Sequence, residues 1–526
     1  MHWNALLLTT LLSIVPVVLA LGALASTRQP CEHAWRTAKI ATSCGLLLAA
    51  VLLGLGVFQL LPAVSGVWLT TPLHLIMLLL ANFIGFVVIR YSATYLQGEP
   101  RQKRFIALAQ TVFAAVSVAV LSDHLVVFLL AWLTIGLSMH QLLMFYPDRP
   151  RAALAAHKKF LFARGAELCA LGAFLLLYLH YDSARISVIT GAYAAPDATL
   201  SFSEQAAACL LALAALIKCA QLPLHGWLIQ VVEAPTPVSA ALHGGVINLG
   251  GYLLLLFYPL LSASTPAQAL ILIVAGVSSV LAALVMMTRI SIKVRLAWST
   301  SAQMGLMLVE IALGLVELAL LHLVAHSCYK AYAFLSSGEA VQEDLQHRQA
   351  PGCQPTLWQW LSAGGISAAM VVTLGVVVRS TTESTAFDVF SPWVLLTLAL
   401  TVLLAERRNP SAPDNQARFV GLAALVMLGY FTLKSLFAVL LPTVEHTTPL
   451  WADLWVSLLF VVLFAGYYLQ RYGLHLGWVQ KLNLYCYAGF YLDEWVTRNT
   501  LKLWPHALPG RIHAKQLHTD SREGSL

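Results

Sequence analysis

Three ionisable side chains, His322, His326 and Lys330, stand four residues apart inside the apolar run LGLVELALLHLVAHSCYKAYAFL. Positions i, i+4 and i+8 share one face of an α-helix, and each step rises about 6 Å. The three would make a ladder about 12 Å tall, with room for a water between rungs. Histidine titrates near neutrality, which suits such a ladder to passing protons. The same spacing would also serve as hydrogen-bonding glue between helices. A haem held by both histidines would need the two rings arranged around one cofactor.

A second group surrounds Lys218 in LALAALIKCAQLPLHGWLIQVVEAPTPVSA. About a dozen apolar residues precede this lysine, which places it near mid-membrane. Pro223 lacks the N–H that a continuing helix needs, so the helix should break just after the lysine. A broken helix beside a buried amine is how membrane transporters build ion sites, because irregular backbone at that depth must line a cavity. Lys218 is therefore a candidate proton-loading group; a lysine snorkelling to the interface is the simpler reading.

Glu233 follows, beside Pro235 and Pro237, and then His243 among Gly244, Gly245, Gly250 and Gly251. Those small residues allow close helix packing or a water pocket. Arg164 and Glu167, in KKFLFARGAELCALGAF, form either a local salt bridge or, for Glu167, a counter-charge reaching Lys218 across helices. Glu310, in AQMGLMLVEIALG, is a further buried acid. A charge at membrane depth costs about 2.5–3.5 kcal/mol on insertion scales, so each of these should face a protein interior or water.

The elements that must hold these groups are membrane helices. Of 526 residues, 59% are hydrophobic and 10% charged, with a mean hydropathy of +0.76; a soluble protein carries about 25% charged residues. Apolar runs of about 18 residues or more recur along the chain, the mark of spanning helices. The short alternating segments of a β-barrel are missing. The expected class is an all-α polytopic membrane protein with about 14–15 spans. They are placed at 4–25, 40–61, 71–91, 105–122, 124–146, 161–181, 205–230, 237–258, 268–288, 296–316, 318–338, 357–379, 388–405, 419–441 and 451–470.

Alternate loops carry the basic residues: Arg28, Arg36 and Lys39; Arg101, Lys103 and Arg104; Arg149, Arg151, Lys158 and Lys159; Arg289, Lys293 and Arg295; Arg407, Arg408 and Arg418; Arg471 and Lys481. The intervening loops hold little beyond Arg185 and Arg379. By the positive-inside rule the first set is cytoplasmic, the N-terminus outside and the tail inside, as expected for a bacterial inner membrane. The net charge of +7 therefore reads as topology, and no basic patch interleaved with aromatics points to nucleic acid. The first 25 residues lack a basic n-region and are expected to stay as a helix. QKLNLYCYAGFYLDEWVTRNTLKLW reads as an interfacial amphipathic stretch, and HAKQLHTDSREGSL as a mobile polar tail.

Eight cysteines show no zinc spacing, LGLG at 53–56 lacks a nucleotide-loop context, and no Walker motif is present. No cofactor is expected on this chain. The expected divisions are 1–103, the N-terminal helices; 104–260, a first repeat; 261–445, the central helices and a degenerate second repeat; and 446–526, the last span, interfacial helix and tail.

KCAQLPLHGWLIQVVEAPTPVSAALH, STSAQMG and HLVAHSCYKAYAFLSSG, in that order over roughly residues 70–345, resemble the antiporter-like proton-translocating subunits of respiratory complex I and of Mrp-type cation/proton antiporters. The resemblance implies inverted five-helix repeats, each with a broken helix, and a central polar axis. By position, Lys218 is then the buried lysine of the first half-channel, with His243 on the following helix. His322, His326 and Lys330 are the connecting residues, carrying protons along the midplane. Two departures stand out. Trp132 is followed by Leu133, where the family has the glutamate that partners the lysine, and the spans at 357–379 and 388–405 hold no central lysine.

LSMHQLLMFYPDRPRAA, LHGGVINLGGYLL and AHSCYKAYAFLSSG further resemble the membrane subunits of DAB inorganic-carbon accumulation complexes. That implies a large cytoplasmic DabA-like partner carrying zinc and similar to β-carbonic anhydrases. The partner would hydrate CO2 while protons, or sodium, flow through the membrane subunit. Glu167 would replace the missing acid, with Glu233 and His243 lining the path. A complex I-like or Mrp-type antiporter subunit is the alternative, and a scaffold that only anchors a partner is the third reading.

Overall fold

The computed structural model describes residues 2–146, 149–193, 200–349, 354–381, 389–406, 413–441 and 448–503. The polar tail lies outside these, as do Arg407, Arg408 and the side chains of Arg151 and Arg379.

The first half comprises α1 (His2–Arg28), α2 (Cys31–Val57), a two-stranded hairpin of β1 (Val64–Ser65) and β2 (Trp68–Leu69), α3 (Pro72–Tyr95), α4 (Gln102–Leu121), α5 (Leu125–Leu143), α6 (Pro150–Tyr181) and α7 (Ile186–Gly191). A segmented stretch follows: α8 (Phe202–Lys218), α9 (Gly226–Gln230), α10 (Thr236–Gly244), α11 (Leu249–Leu256) and α12 (Tyr258–Ser262). The central helices are α13 (Thr265–Met287), α14 (Ile292–Ala312), α15 (Val316–Leu335) and α16 (Ala340–Gln349). The last part holds α17 (Leu357–Thr381), α18 (Ser391–Ala405), α19 (Pro413–Leu440), α20 (Leu450–Tyr472), α21 (Gly477–Tyr487) and α22 (Leu492–Leu503).

Among the described residues, twelve helices are long and apolar enough to cross a membrane. The other three expected spans fall on α14, on the short apolar α18 and on the interrupted α8–α9. Each expected span therefore lands on a helix or a broken one. Basic residues collect at one end of the bundle, where Arg149 meets Glu233, Lys293 meets Thr236 and Arg289 reaches the Cys486 carbonyl. At the opposite end the Asp123 carboxylate accepts from the amide and hydroxyl of Ser187 at 2.7 and 2.8 Å, tying the α4–α5 turn to α7.

One core cluster runs through α1–α15, and a separate one, with Trp360, Leu400, Leu404 and Met427, joins α17–α19. The two parts are tied through α20. Its Trp455 donates to the Leu272 carbonyl of α13, and its Asp453 accepts from the amides of Phe390 and Ser391 at 2.7 and 2.8 Å. A carboxylate on those free N–H groups caps α18 from a neighbouring helix.

Candidate functional site

The site is built on the break in α8–α9. α8 ends at Lys218, Ala220 takes a left-handed φ of 51°, and the Leu222–Pro223 peptide is cis. Backbone groups freed by such a break need partners inside the protein. Ser301 of α14 donates to the Ala220 carbonyl at 2.8 Å, Ser278 of α13 accepts from the Leu222 amide at 3.0 Å, and Gln221 donates to Cys219 and Ser301 carbonyls. STSAQMG thus supplies a backbone partner for the break. Gly305, in the same motif, lets the chain pass where a Cβ would lie 2.7 Å from the Gln221 oxygen and the Ala275 carbonyl.

Lys218 is 6% exposed, and its Nζ lies 4.6 Å from the centre of the Trp132 ring. The ring face, negative by its quadrupole, attracts the ammonium. Glu167 is held locally by Arg164, Nη2 to Oε1 at 2.8 Å. Both crowd Gly136, one turn beyond Trp132: a Cβ there would meet Glu167 Oε1 at 2.9 Å and Arg164 Nη2 at 3.2 Å. The carboxylate that α5 lacks is thus brought against α5 from α6. Lys159 donates to the Gly136 carbonyl at 2.6 Å. It shares with Lys218 a void of about 20 Å³ between α6, α9 and α10, bounded also by Trp227. That volume holds about one water.

Glu233 lies apart from this interior. It is half-buried at the basic end, 3.9 Å from Arg149. His243 is fully buried; its Nδ1 lies 3.1 Å from the Thr300 hydroxyl and its ring stacks on Phe334 at 4.3 Å. The glycines beside it permit close packing, since a Cβ on Gly244 would sit 2.9 Å from the Ser327 carbonyl of α15.

The ladder lies along α15. Lys330 is fully buried and donates to the Leu296 carbonyl at 3.1 Å. His326 is 5% exposed, and among the described residues neither of its ring nitrogens has a hydrogen-bond partner. His322 stands edge-on to it at 6.2 Å and meets the Glu310 carboxylate at 2.9 Å. Leu296 is near the start of α14 and Glu310 near its end. The ladder therefore runs along the direction of the span.

Several charged groups were hidden from the sequence. Lys158 and Lys159, read there as loop charges, belong to the long α6 and are 0% and 4% exposed. Lys158 pairs with Asp493 of α22 at 2.8 Å, and Gln230 of α9 donates to the same carboxylate at 2.6 Å. His225, fully buried after the break, packs on Trp298 at 4.7 Å. Glu317 of α15 lies 3.8 Å from Lys434 of α19. Only the position of Lys434 inside an apolar span signalled it beforehand. Among the described residues, no three His, Cys, Asp or Glu side chains converge as metal ligands would.

Comparison with known proteins places this architecture. The family model described as NADH:quinone oxidoreductase/Mrp antiporter, TM, matches residues 122–355, and that of NADH-Ubiquinone oxidoreductase (complex I), chain 5 N-terminus, residues 64–106. A protein of Hydrogenovibrio crunogenus described as "Probable inorganic carbon transporter subunit DabB" is 46% identical over 518 residues, 98% of either chain. The chain belongs to the DabB family of inorganic carbon transporter subunits. A DabB2 of Halothiobacillus neapolitanus is 35% identical over 477 residues, covering 88% of this chain and 84% of that one. NADH-quinone oxidoreductase subunit L of Escherichia coli is 31% identical over 51% of this chain and 44% of its own. Among solved structures, the Mrp complex from Dietzia sp. superposes with a TM-score of 0.54 at 21% identity, over 98% of this chain and 59% of that one. The fold of this DabB-family chain is thus that of the antiporter-like subunits, and its relatives are named as transporter subunits.

Proposed function

We propose that this chain is the proton-conducting membrane subunit of an inorganic-carbon uptake complex, and that ion flow through it drives CO2 hydration on a DabA-like zinc subunit at the basic, cytoplasmic face. In this reading the N-terminus is outside, the C-terminus inside, and the membrane is the bacterial inner membrane. The zinc chemistry belongs to the partner; this chain supplies Lys218 as the loading group and the α15 ladder as the conductor.

One observation carries the proposal. His326 is buried between a lysine and a second imidazole, with both ring nitrogens unpartnered among the described residues. A buried ring left so is costly unless water or a proton uses it. Below it lies Lys330 on the Leu296 carbonyl, and above it His322 on Glu310. Such a series accepts a proton at one end and releases one at the other. Lys218, beside a water-sized void at a helix break, supports the loading role.

The test is Lys218→Ala in the assembled complex. Carbon-dependent growth rescue should be lost with assembly intact, and full rescue would remove Lys218 from the path. A complex I-like or Mrp-type subunit is the alternative, favoured by the match over residues 122–355. Co-purification separates the two: one large zinc-bearing soluble protein supports the first, a set of hydrophobic antiporter or redox subunits the second.

A further inference from the structure

The ladder does not end at Glu310. We propose that Glu317, held by Lys434, is the outer port of the path, where the proton passes between the ladder and the solvent on the face opposite the basic one. The proposal rests on the reading that the ladder carries protons.

Exposure is lowest at Lys330 and highest at Glu317, although Glu310 is more enclosed than His322 before it. Lys330 is 0% exposed and His326 5%; Glu310 is at 9%, His322 at 13%, Lys434 at 15% and Glu317 at 26%. A path to water should open toward its more exposed end, and that end is Glu317. It stands in the first turn of α15, next to the α14–α15 turn where α14 ends at Ala312.

The surroundings are polar where lipid-facing helices should be apolar. α19 is the least buried of the spanning helices, yet its Lys434 turns inward to lie 3.8 Å from Glu317. A lysine is expensive on such a helix unless it meets a counter-charge or water. Tyr430 stands one turn before Lys434 on α19, within electrostatic reach of both Glu310 and Glu317. Tyr258 is 4% exposed, stands within reach of Glu317, and its buried hydroxyl has no hydrogen-bond partner among the described residues. A buried hydroxyl left unsatisfied marks a place for water.

The transfer is balanced within these groups. A protonated His322 gives the proton on Nδ1 to the Glu310 carboxylate 2.9 Å away, leaving a neutral imidazole and a carboxylic acid. The acid passes the proton, by water or the Tyr430 hydroxyl, to the Glu317 carboxylate, which releases it to solvent. Lys434 is a positioning residue that keeps Glu317 turned toward α19. This route bypasses α17 and α18, whose expected central lysine is missing.

The test uses the whole complex, purified with its partner and reconstituted in proteoliposomes, with luminal pH followed by a dye. Glu317→Gln should lower the initial proton flux at least tenfold, and Glu317→Asp should keep most of it. The exchanged pair Glu317→Lys with Lys434→Glu restores an ion pair but moves the carboxylate to α19, so its flux should stay low. Recovery of wild-type flux by the exchanged pair would reduce Glu317 to a structural role and overturn the proposal. Lys330→Ala is measured beside them: if it abolishes flux while Glu317→Gln conducts normally, the port is wrong and the ladder stands. Normal flux in both variants overturns the ladder and the port with it.

Discussion

The carboxylate of Asp493 occupies the space that a side chain at position 226 would need: a Cβ on Gly226 would lie 1.6 Å from Asp493 Oδ1. One residue of α22 is thereby seated at the start of α9, just past the break beside Lys218. There it ties Gln230 to the fully buried Lys158 of α6. The turn that aims α22 has left-handed φ at Gly489, Phe490 and Tyr491. Gly489 lies against Arg289 and Trp298.

Gly226→Ala should therefore unseat α22. An alanine in place of a helical glycine ordinarily gains about 0.5–1 kcal/mol; here the overlap should cost about 1–3 kcal/mol. Trypsin should cut faster at Arg498 and Lys502, and Gly226→Ala combined with Asp493→Ser should reverse much of the change. Unaltered digestion of the single variant would mean that the seat is not occupied in solution.

Trp132 is expected to matter for transport without being titratable. A desolvated cation–π contact is worth about 2 kcal/mol, which is roughly 30-fold in an equilibrium. Trp132→Leu should reduce flux by more than about tenfold, with Trp132→Phe intermediate. Equal flux in all three proteins would show that the ring only fills space.

Glu310 and His322 should behave as a coupled pair. In a double-mutant cycle of Glu310→Gln and His322→Asn, read by thermal unfolding, the interaction free energy should fall at about 0.5–3 kcal/mol. A value near zero would mean that the 2.9 Å contact is not formed in the membrane.

Asp453→Asn separates packing from conduction. The change replaces one of two acceptors that face the amides of Phe390 and Ser391 with a donor. It should cost about 1–2 kcal/mol of stability and leave flux per assembled complex unchanged, because no ladder residue touches it. A selective loss of flux would extend the path into the last helices.

The ionisable groups Lys218, His243, His322, His326 and Lys330 were legible because charge and imidazole stand out against a lipid-soluble background, and local spacing fixes their face of the helix. The break after Lys218 was legible too, since Pro223 acts on its own backbone. The positions of the spans followed from hydropathy, which needs no partner to be read.

The tertiary structure decided what each charge faces. Glu167 was open between two partners, and the fold gives it Arg164 while setting Lys218 on Trp132. Lys158 and Lys159 looked like loop charges until α9 and α22 were packed over the end of α6. Glu317 with Lys434, and Asp493 with Lys158, join residues 117 and 335 positions apart in the chain. No local pattern encodes such pairs, because they exist only once separate helices have been brought side by side. Sequence alone thus determined that this is a membrane helix bundle with ionisable groups at depth. The partners of those groups, and which helices face one another, were set by packing.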